Sequence, residues 1–512
     1  MKSFKSTLLR SSTTALSKLL TRVNGARYVQ SVAAIVALLL TGTATLSTAA
    51  TLPLEACQLS AAKGLIAQRA QCGTLLVAEN PALPEGRQIP LNVAIIRSRS
   101  NEPAADPVFF FAGGPGQAAI TAFPAAMQAL QQAAADRDVI LIDQRGTGGS
   151  NPLRCPPPED INAMLQTPAP GELERFTAEC LAQLDADPRF YTTAIAVSDF
   201  DQVRASLGYQ QINLLGVSYG TRVAQQYLRQ YPQHVRSVIL DGVVPSELIL
   251  GLEHDTNLEQ ALNETFSACH QDSDCTQRFP DLSASYQNLR QQVAEHPVTI
   301  TVPLPASGTS QELIFNRQLL TLALRILAYS SENRALLPLL VHEAAHSKDY
   351  ERLGALALMI LQELNQSIYA GLETSVMCAE EVPFYPTEIA PRDTLMGDSL
   401  ITLARQQCAL WPHGTVAEDF HSRFTSTTPV LLLSGQYDPV TPPRYGELAV
   451  QQYASGLHLV VPGEGHNVSG RGCVPELIAD FISTAVAGEL DTSCLENMGA
   501  TPFFTTLTGA EP

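Results

Sequence analysis

Charge is scarce in this 512-residue chain. Only 16% of residues are Asp, Glu, Lys or Arg, and 32 basic against 50 acidic side chains give a formal charge of −18. No basic patch follows the N-terminus, which argues against nucleic acid as a partner. Internal repeats and low-complexity tracts are missing, so solenoid and fibrous architectures are excluded. No Cys-x-x-Cys spacing supports a zinc ribbon. What is abundant is apolar side chain, 45% of the residues, enough for a large buried core in one big domain with an insertion or in two domains.

The first 54 residues hold Lys2, Lys5, Arg10, Lys18, Arg22 and Arg27 and no acid. An apolar run, Val32 to Leu40, and a small-residue stretch ending at Ala50 follow. This pattern predicts a secretory signal over residues 1–50, cleaved after Ala49 or Ala50. The run is shorter than the ~20 residues of a membrane span, and Glu55 speaks against lipid attachment at Cys57. All ten cysteines lie beyond this leader. An even count in an exported chain favours disulfides; pairing neighbours in sequence would close five short loops, among many allowed connectivities.

Thr74 to Val77 and Leu91 to Ile96 read as a hairpin or meander at a sheet edge. The runs Val108–Ala112, Val139–Ile142, Ile212–Leu215, Val238–Leu240, Val430–Leu433 and Leu459–Val461 are short, apolar and separated by helical patterns. They predict an α/β fold: a mostly parallel central sheet flanked by helices. The helix before the third of these strands is expected to start at Ser198-Asp199 and stop at Gly208. From Pro245 to about Ser426 the strand rhythm gives way to amphipathic runs such as Asn257–Cys269, Arg317–Tyr329, Arg334–His346 and Tyr350–Leu364. A helical cap inserted over the strand ends is expected, dividing the chain into a core at 51–245, a cap at 246–426 and the rest of the core at 427–512.

Gly216-Val217-Ser218-Tyr219-Gly220 sits between an apolar strand and a helix-like run, the setting of a nucleophilic serine on a sharp turn. The pentapeptide alone would arise by chance in roughly 0.1 copies. Asp438 follows the strand ending at Leu433, and His466 follows the last strand in Gly463-Glu464-Gly465-His466. Both therefore lie at strand carboxyl ends, in the chain order serine, acid, histidine. Asp241, after another strand, competes with Asp438 as the acid. Acyl transfer also needs N–H groups aimed at the developing oxyanion. Tyr219 supplies one, and Gly114 of Gly113-Gly114-Pro115-Gly116 supplies the other.

These segments, with Asp143-Gln144-Arg145-Gly146-Thr147-Gly148-Gly149-Ser150, resemble the prolyl-aminopeptidase and tripeptidyl-aminopeptidase branch of the α/β-hydrolases, from Cys57 to beyond His466 and most weakly in the cap. The resemblance implies an α/β-hydrolase fold and an exported serine exopeptidase that removes short N-terminal units from peptides with a free N-terminus, without a cofactor or metal. An esterase or amide hydrolase would use the same triad. The stretch Cys378-Ala379-Glu380-Glu381 is similar to the family's Cys-x-Glu segment, which implies Glu380, with Glu381 as second choice, as the anchor for the substrate ammonium. Arg145 is expected to brace loops. His342-Glu343-Ala344-Ala345-His346 is rarer by chance, roughly 0.01 copies, and would place two histidines on one helix face as in a zinc peptidase. The surrounding α/β pattern and the place of this helix in the cap make a solvated face the expected reading.

Overall fold

The strands alternate apolar residues toward two faces, and the computed structural model shows where those faces go. It describes residues 52–60, 67–156, 162, 169, 171–304 and 308–508; the expected leader lies outside them. Nine strands form one sheet: β1 (Glu55–Ser60), β2 (Ala67–Ala78), β3 (Gln88–Ile96), β4 (Val108–Phe111), β5 (Val139–Ile142), β6 (Ile212–Val217), β7 (Val235–Asp241), β10 (Val430–Gly435) and β11 (Gly456–Val461). Their order is β1-β2-β3-β5-β4-β6-β7-β10-β11. The first three strands and the β3–β5 pair run antiparallel, and every pair from β5 to β11 is parallel.

Along β4 and β5, Phe109, Phe111, Ile140 and Ile142 enter one apolar cluster, while Val108, Phe110, Val139 and Leu141 enter another. Helices α1 (Ala119–Leu130), α2 (Thr193–Ser206) and α3 (Tyr219–Gln230) cover these faces. Phe123 of α1 packs on the second face, and Phe200 of α2 and Tyr227 of α3 pack on the first. Burying each such side chain contributes about 1.5–3 kcal/mol. The chain leaves β4 toward β5 on one side and later returns to β6 on the other. That reversal opens a crevice outside the strand carboxyl ends.

Between β7 and β10 the chain builds its own apolar cluster, running from Leu258 to Met396. It holds α4 (His254–Gln271), α5 (Arg317–Leu327) and α6 (Leu337–Ser347), whereas α7 (Ala370–Val376) sends Leu372 and Val376 into the first cluster of the sheet. It is not wholly helical. β8 (Val298–Leu304) and β9 (Thr309–Phe315) form an antiparallel hairpin, in which Ile300, Val302, Leu313 and Phe315 are buried. Their period-two alternation is the signal of a half-buried strand. All ten cysteines are bridged: Cys57–Cys72, Cys155–Cys180, Cys269–Cys275, Cys378–Cys408 and Cys473–Cys494.

The start of α2 differs from expectation. Thr192 caps it by accepting from the Ile195 N–H, and Asp199 lies inside the helix. Asp199 is buried because its carboxylate accepts from Arg145 Nε and Nη2 at 2.7 and 2.8 Å. Arg145 also donates to the carbonyls of Glu79 (2.8 Å) and Phe190 (3.0 Å), which is the loop-bracing role expected of it. Asp199→Ala should therefore cost about 3–5 kcal/mol by stranding a buried guanidinium. Loss of a helix cap would cost only about 1 kcal/mol, and urea unfolding distinguishes the two.

Candidate functional site

β6 and α3 meet at Ser218, which holds φ 56° and ψ −122°. A positive φ is uncommon outside glycine and marks a position held by its surroundings. The turn is tight enough that a Cβ on Gly216 would stand 2.2 Å from the Gly220 carbonyl oxygen, and one on Gly220 would stand 2.2 Å from the Phe111 oxygen. Only glycine permits those approaches. Ser218 remains half-exposed at the mouth of the crevice.

The structure brings His466 and Asp438 together. His466 Nδ1 and Asp438 Oδ2 lie 2.8 Å apart. Asp438 also accepts from the N–H groups of Val440 and Thr441, both at 2.8 Å, and from the Thr441 hydroxyl at 2.7 Å. A carboxylate so surrounded by donors only accepts, so Nδ1 carries the proton and Nε2 is left as a base. Burial alone would lower the His466 pKa, but the Asp438 charge and hydrogen bond outweigh it and the net shift is upward. Burial would raise the Asp438 pKa, yet His466 and the backbone donors hold it below the usual range.

Ser218 and His466 each adjoin the end of β7. The Ser218 N–H donates to the Asp241 carbonyl at 2.8 Å, and a Cβ on the next residue, Gly242, would stand 3.1 Å from His466 Cε1. No hydrogen bond joins the two side chains among the described residues; such bonds often tighten only when substrate is bound. Asp241 has another role. Its carboxylate accepts from the Val468 and Ser469 N–H groups, each at 2.9 Å, and so ties down the segment after His466.

Tyr219 opens α3, so its N–H has no helical carbonyl to bond. Gly114 is exposed, and the Gly113 position lies against Ser218, with a built Cβ 3.2 Å from the serine Cβ. Tyr219 thus follows the serine directly, and Gly114 follows the glycine that lies against it. Asp143 anchors this rim by accepting from the N–H groups of Ile120 and Gly149, both at 3.0 Å.

Glu380 and Glu381 do not line the crevice. Both are fully buried in a π-turn, Met377–Glu381. Glu381 accepts from Arg222 Nη1 (3.3 Å) and the Leu250 N–H (2.7 Å). Glu380 accepts from the Thr193 N–H (2.5 Å) and hydroxyl (2.6 Å), and that hydroxyl meets the Tyr219 hydroxyl at 2.6 Å. Burial pushes the Glu380 carboxyl up to about 8. Direct contact of either carboxylate with an ammonium is thus corrected to support from behind: both are closed to solvent, Glu380 bonded to Thr193 beside Tyr219 and Glu381 to Arg222 and the Leu250 N–H.

The carboxylate that does reach solvent is Glu373, seven residues earlier on α7. Solvent touches it, yet protein encloses it so closely that burial, opposed by Arg325, pushes its carboxyl up to about 7. Tyr369, just before α7, donates its N–H to the Gly116 carbonyl at 2.9 Å, and Glu373 follows one helical turn later. Its side chain has no hydrogen bond or ion pair among the described residues. Half-buried His254 and Arg325 face the same region: burial, with Arg325 and His466 nearby, lowers His254 to about 3. Sequence reading missed Glu373 because no motif surrounds it. The only signal was a single charge on an otherwise uncharged helix.

His342 and His346 share a helix face with ring centroids 4.4 Å apart, as their spacing requires. Glu343 is paired with Arg352 at 2.6 Å, and His346 Nε2 meets the Ser285 hydroxyl at 3.0 Å. No group of three potential metal ligands occurs among the described residues.

A family profile described as alpha/beta hydrolase fold matches residues 106–470. The chain is 24% identical over 451 residues to the serine protease Hip1 of Mycobacterium tuberculosis, covering 81% of this chain and 85% of that protein. It is 34% identical over 192 residues to the tripeptidyl aminopeptidase of Streptomyces coelicolor, covering 34% of this chain and 35% of that one. A proline iminopeptidase of Heyndrickxia coagulans is 27% identical over 168 residues, 32% of this chain and 46% of that one.

A base must be neutral to act, so kcat/KM should fall as pH drops through the raised His466 pKa. In Asp438→Asn the group that raises that pKa is gone while burial remains. The acidic limb should move to lower pH, and kcat should fall by up to about 10⁴-fold as the imidazole loses its orienting partner. A pH–rate profile of the variant checks both; an unmoved limb would break the assignment of Asp438 to His466.

Proposed function

Since the chain belongs to the α/β-hydrolase family, we propose that it is an exported serine aminopeptidase that removes short N-terminal units from peptides. The observation that carries this reading is Glu373, an unpaired carboxylate one helical turn beyond the residue that bonds Gly116, within the influence of Arg325. A free α-ammonium suits such a group, since a carboxylate held in partly dehydrated surroundings attracts a cation far more strongly than one in water. The five disulfides and the basic, apolar N-terminal leader support export.

In this reading, His466 Nε2 takes the Ser218 proton as the hydroxyl attacks the scissile carbonyl. Asp438 holds the imidazolium through Nδ1–H. The N–H groups of Tyr219 and Gly114 receive the oxyanion, and the N-terminal end of α3 adds its partial positive charge. Collapse of the tetrahedral intermediate breaks the C–N bond, and His466 returns the proton to the departing amine. Water, deprotonated by His466, then attacks the ester on Ser218 and frees the N-terminal fragment. Glu380 acts at one remove, fixing Tyr219 through Thr193.

The test compares free-amine peptides with their N-acetylated counterparts. The ratio of kcat/KM between them should fall by about 10–100-fold in Glu373→Gln, the cost of losing a charged hydrogen bond. For free-amine substrates KM should rise as pH drops through about 7, where Glu373 protonates, and again above about 8, where the substrate amine loses its charge. Equal turnover of acetylated and free peptides by the unmodified enzyme would turn the reading toward an esterase or endopeptidase.

A further inference from the structure

A short segment of the insertion lies against the candidate base. α5 ends at Leu327, and a single helical turn, Ser331–Arg334, leads on to α6. Tyr329, between α5 and that turn, accepts the His466 N–H at 2.8 Å, and its ring meets the imidazole edge-on at 5.2 Å. Ser330 caps the turn by accepting from the Asn333 N–H, and the Arg334 N–H donates to the Ser330 carbonyl at 2.8 Å.

Arg334 is 1% exposed, and none of its three guanidinium nitrogens has a hydrogen-bond partner among the described residues. Burial accordingly lowers its pKa. What the guanidinium has instead is aromatic faces. Its central carbon stands 3.9 Å from the centroid of the Tyr437 ring and 5.5 Å from that of Phe503. Cation–π contact is strongest when desolvated, and the planar guanidinium is the cation suited to stacking. It offsets only part of the cost of burying an unbonded charge, and an apolar side chain would fill the space without that cost. The contribution of Arg334 therefore lies in what it holds in place.

Tyr437 immediately precedes Asp438. Its N–H donates to the Glu464 carbonyl at 2.9 Å, and the Gln436 side chain accepts from the Gly463 N–H at 2.8 Å. The loop carrying the acid is thereby stitched to the loop carrying the histidine. The C-terminal segment fixes the helical turn in its place: Ser331 Oγ meets Thr501 Oγ1 at 2.8 Å, and the Phe504 N–H donates to the Ala335 carbonyl at 3.1 Å. Residues 329–335 thus hold the acid–base pair twice, by a backbone bond to His466 and by a ring stack on the neighbour of Asp438.

We propose that Arg334 is a positioning residue for the Asp438–His466 pair: stacked on Tyr437, it fixes the loop that presents Asp438 against the insertion segment that holds His466. The proposal rests on the assignment of Ser218, Asp438 and His466 to acyl transfer and is independent of the choice of substrate.

The probe is a fluorophosphonate, which reacts with an activated serine whatever the natural substrate. Arg334→Met keeps the stem and removes the stacking cation. The second-order rate of Ser218 labelling should then fall by about 10–100-fold, the loss that a misplacement of about 1 Å produces. The sign of a pH shift separates positioning from a direct effect of charge. Asp438 is the strongest of the charges acting on His466, ahead of Asp241 and Arg325, and it raises the pKa. A looser Asp438–His466 contact moves the acidic limb of labelling to lower pH, whereas deletion of a nearby positive charge by itself would move it to higher pH. Arg334→Lys, which keeps the charge but loses the planar stack, should show the same downward movement in smaller measure. Tyr437→Phe, which keeps the ring, should label like the unmodified enzyme, and Tyr437→Leu should resemble Arg334→Met. Tyr437 is only half-buried, so this second pair carries the test where Arg334→Met does not fold. The position of the limb is a property of the folded molecules alone. An unchanged labelling rate in Arg334→Met or Tyr437→Leu, or a limb that stays in place or moves to higher pH, would overturn the proposal. No labelling of the unmodified enzyme, or equal labelling of Ser218→Ala, would instead overturn the triad assignment, and the role of Arg334 with it.

Discussion

At Ser218 three backbones occupy space that side chains would normally separate. Gly220 presses on the Phe111 carbonyl at the end of β4, Gly216 presses on Gly220, and the Ser218 N–H is held by the Asp241 carbonyl at the end of β7. These contacts pin α3 to two neighbouring strand ends at once. As a result the Gly113–Gly116 loop, which continues β4, lies beside the serine, and Gly242, which continues β7, lies beside His466. The positive φ at Ser218 persists because the surrounding structure over-determines it.

Beneath that turn lies an unusual amount of buried charge. Arg145 with Asp199, and Arg222 with Glu381, are both ion pairs closed to solvent. Such pairs contribute little net stability compared with apolar replacements, but losing one member is expensive. Their value here is positional. Arg145 ties the loop after β5 to α2 and to the carbonyls of Ala78 and Glu79, while Arg222 ties α3 to Glu381 and to the carbonyls of Pro245 and Leu248. Glu380, through Thr193, steadies the side chain of Tyr219. The Cys378–Cys408 bridge fastens the same π-turn two residues before Glu380.

Charges of opposite sign act on His466. Asp438 raises the His466 pKa, while Arg325 lowers it and also lowers that of His254. The insertion between β7 and β10 supplies Arg325, His254 and Glu373, whereas the sheet supplies Ser218, Asp438 and His466. In the proposed reading, reactivity and recognition thus come from different parts of one chain. Loop and helix changes in the insertion can alter selectivity while the strand-end geometry stays intact.

Much of the sheet was legible because buried parallel strands are continuous apolar runs: the runs at 108–112, 139–142, 212–215 and 430–433 all fall on strands. The sharp turn at Ser218 and the positions of Asp438 and His466 after strands were equally local signals. Asp199 misled because a carboxylate near a helix start looks like a cap; only the folded chain brings Arg145, 54 residues away, to pair with it. The hairpin β8–β9 was lost among helical patterns although its residues alternate. Glu380 and Glu381 are acids in sequence, but burial and partners are properties of three dimensions, and both proved enclosed. Sequence by itself determined the strand–turn–helix at Ser218, the chain order of the triad candidates and the glycines their approach requires, because these depend on short-range sterics and hydrophobic period. Tertiary structure alone decided which acid meets His466 and which carboxylate, Glu373 rather than Glu380, is exposed, because desolvation and pairing depend on neighbours that lie far apart along the chain.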